Sequence, residues 1–168
     1  MAEAPLRAAR ALARVARRVL IGFSWALVPV AVMLAAGATH RLVSGESGLL
    51  TLSWLLVAHV VGGATGSYLL HESGHVLVLS GCSGVHDIEV RSGLLRFSVV
   101  PHGSITRAEG ILTALAGPGL CALAGLALLA AGSPVTWWYL AHLIFLLPVF
   151  GDGRSIVRAI RGPQTAAA

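Results

Sequence analysis

The chain has 168 residues, of which 56% are hydrophobic and only 11% are charged, and its mean hydropathy is +0.82. A soluble domain of this length needs more polar surface, so the composition argues against a soluble globular protein and predicts a polytopic α-helical membrane protein of about four transmembrane helices. The net charge is +5 and all twelve cations are arginine, but the arginines flank apolar segments. We therefore attribute them to membrane topology and not to nucleic-acid binding.

The first 18 residues place five arginines among alanine and leucine. This pattern predicts a basic amphipathic helix on the anionic cytoplasmic leaflet, and a solvated tail that serves only as a topology signal fits about equally well. A first span is predicted over about 19–38, with a kink at Pro29. A short polar loop from Thr39 to Gly48 then leads to the next apolar run.

The second apolar run, residues 49–79, is longer than one span requires, so it is expected to tilt, to project from the bilayer or to break near Gly62-Gly63. Near its end stands the pentapeptide His-Glu-Ser-Gly-His, residues 71–75. Residues four apart share a helix face, so His71 and His75 can bind one metal ion, with Glu72 beside them to take a proton from the metal's water. Ionisable groups at membrane depth are costly, which marks this as a functional site.

Residues 85–100 predict a membrane-associated β-hairpin with a turn near Gly93 and a stop at Pro101. Two further spans are predicted over about 111–131 and 137–150, followed by a cytoplasmic tail, residues 154–168. Four spans place both termini on one side, and eleven of the twelve arginines then share that side, with only Arg41 opposite. The arginine distribution therefore predicts that both termini are cytoplasmic.

A catalytic zinc site has three protein ligands and one open position. Asp152 is the best third candidate because it ends the last span on the same membrane side as His75. His59 precedes His71 by twelve residues and lies about 120° around the helix, so we expect it to form an interhelical hydrogen bond instead. For His142, packing inside the last span is favoured over a role in supporting the metal ligands or positioning substrate.

Three segments together resemble the site-2 protease family of intramembrane zinc metalloproteases, in a minimal form without a PDZ or CBS domain. They are the 71–75 pentapeptide, Ala116-Gly117-Pro118 and the run Leu-Pro-Val-Phe-Gly-Asp-Gly at 147–153, and the resemblance covers roughly residues 55–155. It implies Zn²⁺ bound by His71, His75 and Asp152, with Glu72 as general base. It also implies cleavage of a transmembrane or membrane-proximal segment of a partner protein. The hairpin would hold that substrate as a strand, through Phe97, Ser98, Val99 and Val100.

The family usually has Asn where Phe145 stands, and often another in the region of Gly119–Cys121; such a side chain can stabilise a developing oxyanion. The alternative is therefore a catalytically weak or inactive homologue that acts as a metal-stabilised membrane adaptor. Glu72 argues against it, because a structural metal site does not need that carboxylate. A metal transporter fits less well, since a transport path needs several polar sites. We expect an integral protein of a bacterial cytoplasmic membrane, with the lipid bilayer and a membrane-protein substrate as partners; a regulatory membrane partner is left open.

Overall fold

The computed structural model describes residues 3–93 and 97–162. Four helical stretches in this part of the chain are long and apolar enough to cross a membrane, as predicted: Pro5–Ser44, Gly48–Gly81, Arg107–Ala130 and Thr136–Arg161. The individual helices are α1 (Glu3–Phe23), α2 (Leu27–Ser44), α3 (Gly48–Val57), α4 (Gly66–Gly81), α5 (Arg107–Ala130), α6 (Thr136–Leu140) and α7 (Gly151–Arg161). Strands β1 (Val85–Ser92) and β2 (Phe97–Gly103) lie between α4 and α5.

The first helical stretch is longer than predicted. A 3₁₀ turn, Ser24–Ala26, joins α1 to α2 just before Pro29, whose ring cannot donate a hydrogen bond to the carbonyl four residues earlier. The 40 residues of the stretch are about 60 Å long, about twice the hydrocarbon thickness of a bilayer. The predicted polar loop from Thr39 is wrong, because the helix continues to Ser44 and ends at Gly45, whose φ of 79° is the left-handed conformation that commonly ends a helix.

The N-terminal half of this stretch packs its apolar stripe on the rest of the protein. Its apolar stripe, Ala11, Val15 and Val19, is buried in a core with residues of α4 and of β1: Val76, Leu79, Val85 and Ile88. On the exposed side, the Arg14 guanidinium donates a hydrogen bond of 3.0 Å to Asp87 of β1 and holds the pKa of that carboxyl below its usual value. The amphipathic helix predicted for residues 1–18 is therefore present from Glu3 onward, and its apolar stripe covers the hairpin and α4.

The second stretch does not break at its glycine pair. Ala58–Thr65 forms a π-helical segment of 8 residues between α3 and α4. The wider turn leaves carbonyl groups for other donors, and the Tyr139 hydroxyl donates to the carbonyl of Gly62 at 2.7 Å. The indole N–H of Trp138 donates to Nδ1 of His59 at 2.9 Å, which confirms His59 as a residue of an interhelical hydrogen bond.

The predicted hairpin is present and antiparallel, but β2 runs through Pro101 to Gly103. The pairing register shifts between Val85 and Asp87, so His86 forms a bulge that allows both Val85 and Ile88 to face the core. The turn was predicted near Gly93, directly after the end of β1 at Ser92, and residues 94–96, which complete the connection to β2, lie outside the described residues.

The last helices place Asp152. A capping box of Thr106 and Glu109 starts α5 four residues before the predicted boundary at 111. The predicted last span, 137–150, is instead α6 followed by a 3₁₀ helix, Ala141–Leu146, and an extended break before α7. The break begins at Leu147, because a residue before proline disfavours helical backbone. Asp152 therefore lies in the first turn of α7 and does not end a span.

Candidate metal centre

The three predicted metal ligands meet in one cluster, in which both histidines are buried and Asp152 is partly exposed. His71 and His75 lie one turn apart on α4, are 4% and 7% exposed, and have their Nε2 atoms 3.1 Å apart. From α7, Asp152 places Oδ2 3.2 Å from Nε2 of His71 and Oδ1 3.5 Å from Nε2 of His75. The break before α7 turns this carboxylate toward α4.

These distances suit a zinc ion. Ligands about 2.05 Å from one ion in tetrahedral geometry lie about 3.3 Å from each other, which is close to the 3.1–3.5 Å between the ligand atoms. Two imidazoles and one carboxylate are also a donor set of catalytic zinc sites. The residues present therefore fit the metal that the motif implies.

His75 is held in the orientation that a ligand needs. Its Nδ1 donates to the backbone carbonyl of Thr113 at 2.7 Å, so its Nε2 has a free lone pair directed at the cluster. Thr113 is a contact that sequence reasoning missed. Its only sequence signal is that it precedes Gly117 by four residues and so shares a face of α5 with it.

The Ala116-Gly117-Pro118 segment brings α5 close to the pentapeptide. A Cβ atom on Gly74 would lie 2.7 Å from the carbonyl oxygen of Ala116, so the two helix backbones are in direct contact. A Cβ atom on Gly117 would lie 2.7 Å from both Cε1 and Nε2 of His75. The missing side chain at Gly117 thus provides the space in which the His75 ring lies.

Glu72 has an unpaired, buried carboxylate. It is 4% exposed, and its Oε2 atom has no hydrogen-bond partner among the described residues. A buried polar atom without a partner is costly and calls for a water or a ligand. Glu72 is not among the groups of described residues whose geometry could hold a metal ion.

Two further residues adjoin His71 on its other side. Nδ1 of His142 lies 3.0 Å from Nδ1 of His71, so His142 contacts a candidate metal ligand. The sequence favours packing inside the last span for this residue. Cys121, which is a buried free cysteine, has its Sγ within 4.8 Å of a ring nitrogen of each of these histidines. Neither contact could be found from spacing, because the three residues come from three different helical segments.

The four predicted substrate-binding residues do not share a face. Phe97 is buried, and its ring centroid lies 5.9 Å from that of Tyr68 and 6.2 Å from that of Phe23, so it anchors the hairpin to the helices. Alternation along β2 puts Val99 on the same side as Phe97, and Ser98 and Val100 on the other. In the described chain β2 pairs only with β1, so its other edge is open. A substrate strand that paired with β2 would form hydrogen bonds with the backbone along that open edge.

Comparisons with protein-family models, with curated proteins and with solved structures find no match for this chain. The candidate metal centre is thus described by its residue types, their burial and the distances between their ligand atoms.

Proposed function

We propose that this chain is a zinc-dependent intramembrane endopeptidase, similar to site-2 proteases, that cleaves a transmembrane or membrane-proximal segment of a partner protein. One observation carries the proposal: His71, His75 and Asp152 converge in one cluster beside the buried, unpaired carboxylate of Glu72, and this cluster lies between helical stretches that are long and apolar enough to cross a membrane. A metal site without enzymatic function has no need of a buried, unpaired carboxylate.

The roles of the residues follow from their chemistry. When bound, zinc polarises the substrate carbonyl and lowers the pKa of water. His71, His75 and Asp152 would hold the ion. Glu72 takes a proton from the attacking water and delivers it to the nitrogen of the leaving amine as the C–N bond breaks.

The outer surface supports a position within the bilayer. Large apolar side chains point outward along the candidate spans; Leu123 on α5, for example, is 68% exposed. Similar exposure occurs on the other long stretches, at Leu20, Ile21, Val28, Val32, Trp54 and Trp137. A soluble monomer seldom exposes so much apolar surface, whereas lipid-facing helices do so by necessity. The arginine distribution supports a topology in which both termini are cytoplasmic.

The hairpin supplies a means of presenting substrate. The amides of a helical substrate are hydrogen-bonded within the helix, so the cleaved segment has to unwind before its carbonyl can be attacked. Pairing of the unwound segment with the open edge of β2 would hold it extended. The role falls to the backbone of Ser98–Val100, since the side chain of Phe97 is buried.

One observation favours the second candidate, an adaptor without catalytic activity. The ring of Phe145 lies 5.2 Å, centroid to centroid, from that of His71, at the position where the family usually has Asn. An apolar ring there offers no hydrogen bond to a developing oxyanion. The adaptor would use the same metal centre to stabilise its helices while it binds a partner helix.

Reconstituted protein incubated with single-span membrane proteins tests the proposal. Wild type is expected to cleave a subset of them, and Glu72→Gln is expected to keep its zinc but to lose at least about 100-fold in rate, the contribution typical of a general base. Glu46→Gln, in the exposed loop after α2, is the matched control and should cleave like wild type. A Glu72→Gln variant with wild-type cleavage refutes the mechanism. A zinc-loaded wild type that cleaves nothing but retains partner helices supports the adaptor.

A further inference from the structure

We propose that His142 is a positioning residue, which fixes His71 as a metal ligand by accepting a hydrogen bond from it. This inference rests on the metal centre of the proposed function. It assigns a role to a residue outside the motifs of the family resemblance.

The two imidazole rings lie at the distance of a direct hydrogen bond. His142 lies on the 3₁₀ helix that precedes α7 and is only 3% exposed. Its Nδ1 is 3.0 Å from Nδ1 of His71, while Nε2 of His71 is directed at Asp152 and His75. His71 thus contacts the ligand cluster with one ring nitrogen and His142 with the other.

The placement of protons decides which histidine donates. Two Nδ1 atoms at hydrogen-bond distance need one hydrogen between them, and a neutral imidazole carries a hydrogen on only one of its nitrogens. If His71 binds metal through Nε2, its hydrogen is on Nδ1, so His71 donates and His142 accepts. The reverse arrangement puts the hydrogen on Nε2 of His71 and removes its ability to bind the ion. In the metal-bound form His142 therefore accepts from His71 and stabilises the tautomer of His71 that can act as a ligand.

Aromatic rings enclose this bond. The ring of His142 lies 5.0 Å from that of Tyr68 and 5.2 Å from that of Phe145, and Phe145 also lies 5.2 Å from His71. These rings shield the bond from water, so water cannot readily replace His142 as the acceptor. Phe145, which offers no oxyanion contact, thereby gains a structural reason for its position.

The two metal-binding histidines differ in the partner that orients them. His75 donates to a backbone carbonyl, a usual partner of a metal-bound histidine together with carboxylates and water. His71 has a side chain in that place, so its orientation can be changed by substitution. Loss of such a partner typically costs about 10–100-fold in metal affinity, which is the effect expected here.

Three variants in the full-length protein test the role: His142→Phe, His142→Asn and Cys121→Ala. We would measure Zn²⁺ affinity by competition with a chromophoric chelator, and the visible absorption spectrum of the Co²⁺-substituted protein, which reports ligand geometry. His142→Phe fills the space without an acceptor and should bind about 10–100-fold more weakly, with an altered Co²⁺ spectrum. The side-chain oxygen of His142→Asn can accept from His71, so this variant should recover most of the affinity and the wild-type spectrum. Cys121→Ala, at an equally buried neighbour, should match wild type.

The outcomes separate this role from the metal centre itself. Wild-type affinity and spectrum in His142→Phe overturn the role, as does a loss in His142→Asn as large as that in His142→Phe. A loss in Cys121→Ala equal to that in His142→Phe also overturns it, and indicates that His71, Cys121 and His142 hold the ion. If wild type binds no metal, or if Asp152→Ala still binds it, the proposed metal centre fails, and the role of His142 fails with it.

Discussion

Replacement of Gly117 by alanine should weaken metal binding without touching any ligand. The added Cβ atom would lie 2.7 Å from Cε1 and Nε2 of His75 and 2.9 Å from the carbonyl oxygen of His71. The second neighbour is helix backbone, so the His75 ring is the group that has to move. Gly117 itself contributes no polar side chain, so the loss would be purely geometric.

The size of the effect follows from these distances. An ordinary carbon contact is about 3.5 Å, so the 2.7 Å approach has to open by about 0.8 Å. Zinc–nitrogen bonds tolerate only about 0.2 Å, so a displacement of this size removes His75 from the coordination sphere unless the helices separate. Separation of packed helices costs roughly 1–3 kcal/mol. One of these costs has to be met, which corresponds to a loss of about 10–100-fold in affinity.

The assay is Zn²⁺ competition on the purified variant, with Gly119→Ala as the matched control. Gly119 is on the same helix, two residues away, and its added Cβ would meet nothing within 4 Å. The control should bind as wild type does. Equal affinities for Gly117→Ala and Gly119→Ala would show that the close approach of α5 to His75 does not shape the metal centre.

Three further predictions concern topology, the hairpin and its attachment. Reporters fused after residue 168 should be cytoplasmic, whereas a reporter inserted at Glu46 should be extracytoplasmic; the opposite pattern at either site contradicts the four-span arrangement. Val99→Pro should impair cleavage without loss of zinc if the N–H of Val99 lies on the edge that pairs with substrate. Crosslinkers at positions 98–100 should trap substrate in Glu72→Gln. If no crosslink to β2 forms, the hairpin is only a structural element. Asp87→Asn should cost less than about 1 kcal/mol in unfolding free energy at neutral pH, because its ion pair with Arg14 is exposed. Because the pKa of Asp87 is lowered in the folded protein, the stabilisation by its ion pair is present above the carboxyl's unfolded pKa and is lost as the pH falls through the folded pKa. If wild type and Asp87→Asn differ as much in unfolding free energy in strong acid as at neutral pH, the ion pair is not the cause of the difference.

Two of the three candidate ligands could be predicted from the sequence because local geometry brings them together, and the third was predicted from its residue type and its place in the chain. The four-residue spacing of His71 and His75 requires only a helix, and the need for a third ligand pointed to Asp152 as an acidic residue after an apolar run. The structure brings these three together. The hairpin could also be predicted from local sequence, because β-branched residues favour strands.

Contacts set by packing could not be predicted. The hydrogen bonds of Thr113 and His142 to the candidate ligands depend on how α5 and the 3₁₀ helix Ala141–Leu146 are rotated relative to α4. The contact between Gly74 and Ala116 helps to set the rotation of α5. The end of the first helical stretch also differs from the prediction. Polar residues near Thr39 suggested a loop, but helical hydrogen bonding continues through them until Gly45 permits a left-handed turn.

Metal analysis of purified wild type beside Asp152→Ala and Glu72→Gln tests the central claim most directly. The proposed site predicts one zinc ion per chain in wild type, its loss in Asp152→Ala and its retention in Glu72→Gln. Zinc retained at full stoichiometry by Asp152→Ala, or lost from Glu72→Gln, would contradict the assignment of His71, His75 and Asp152 as the ligands and of Glu72 as the base.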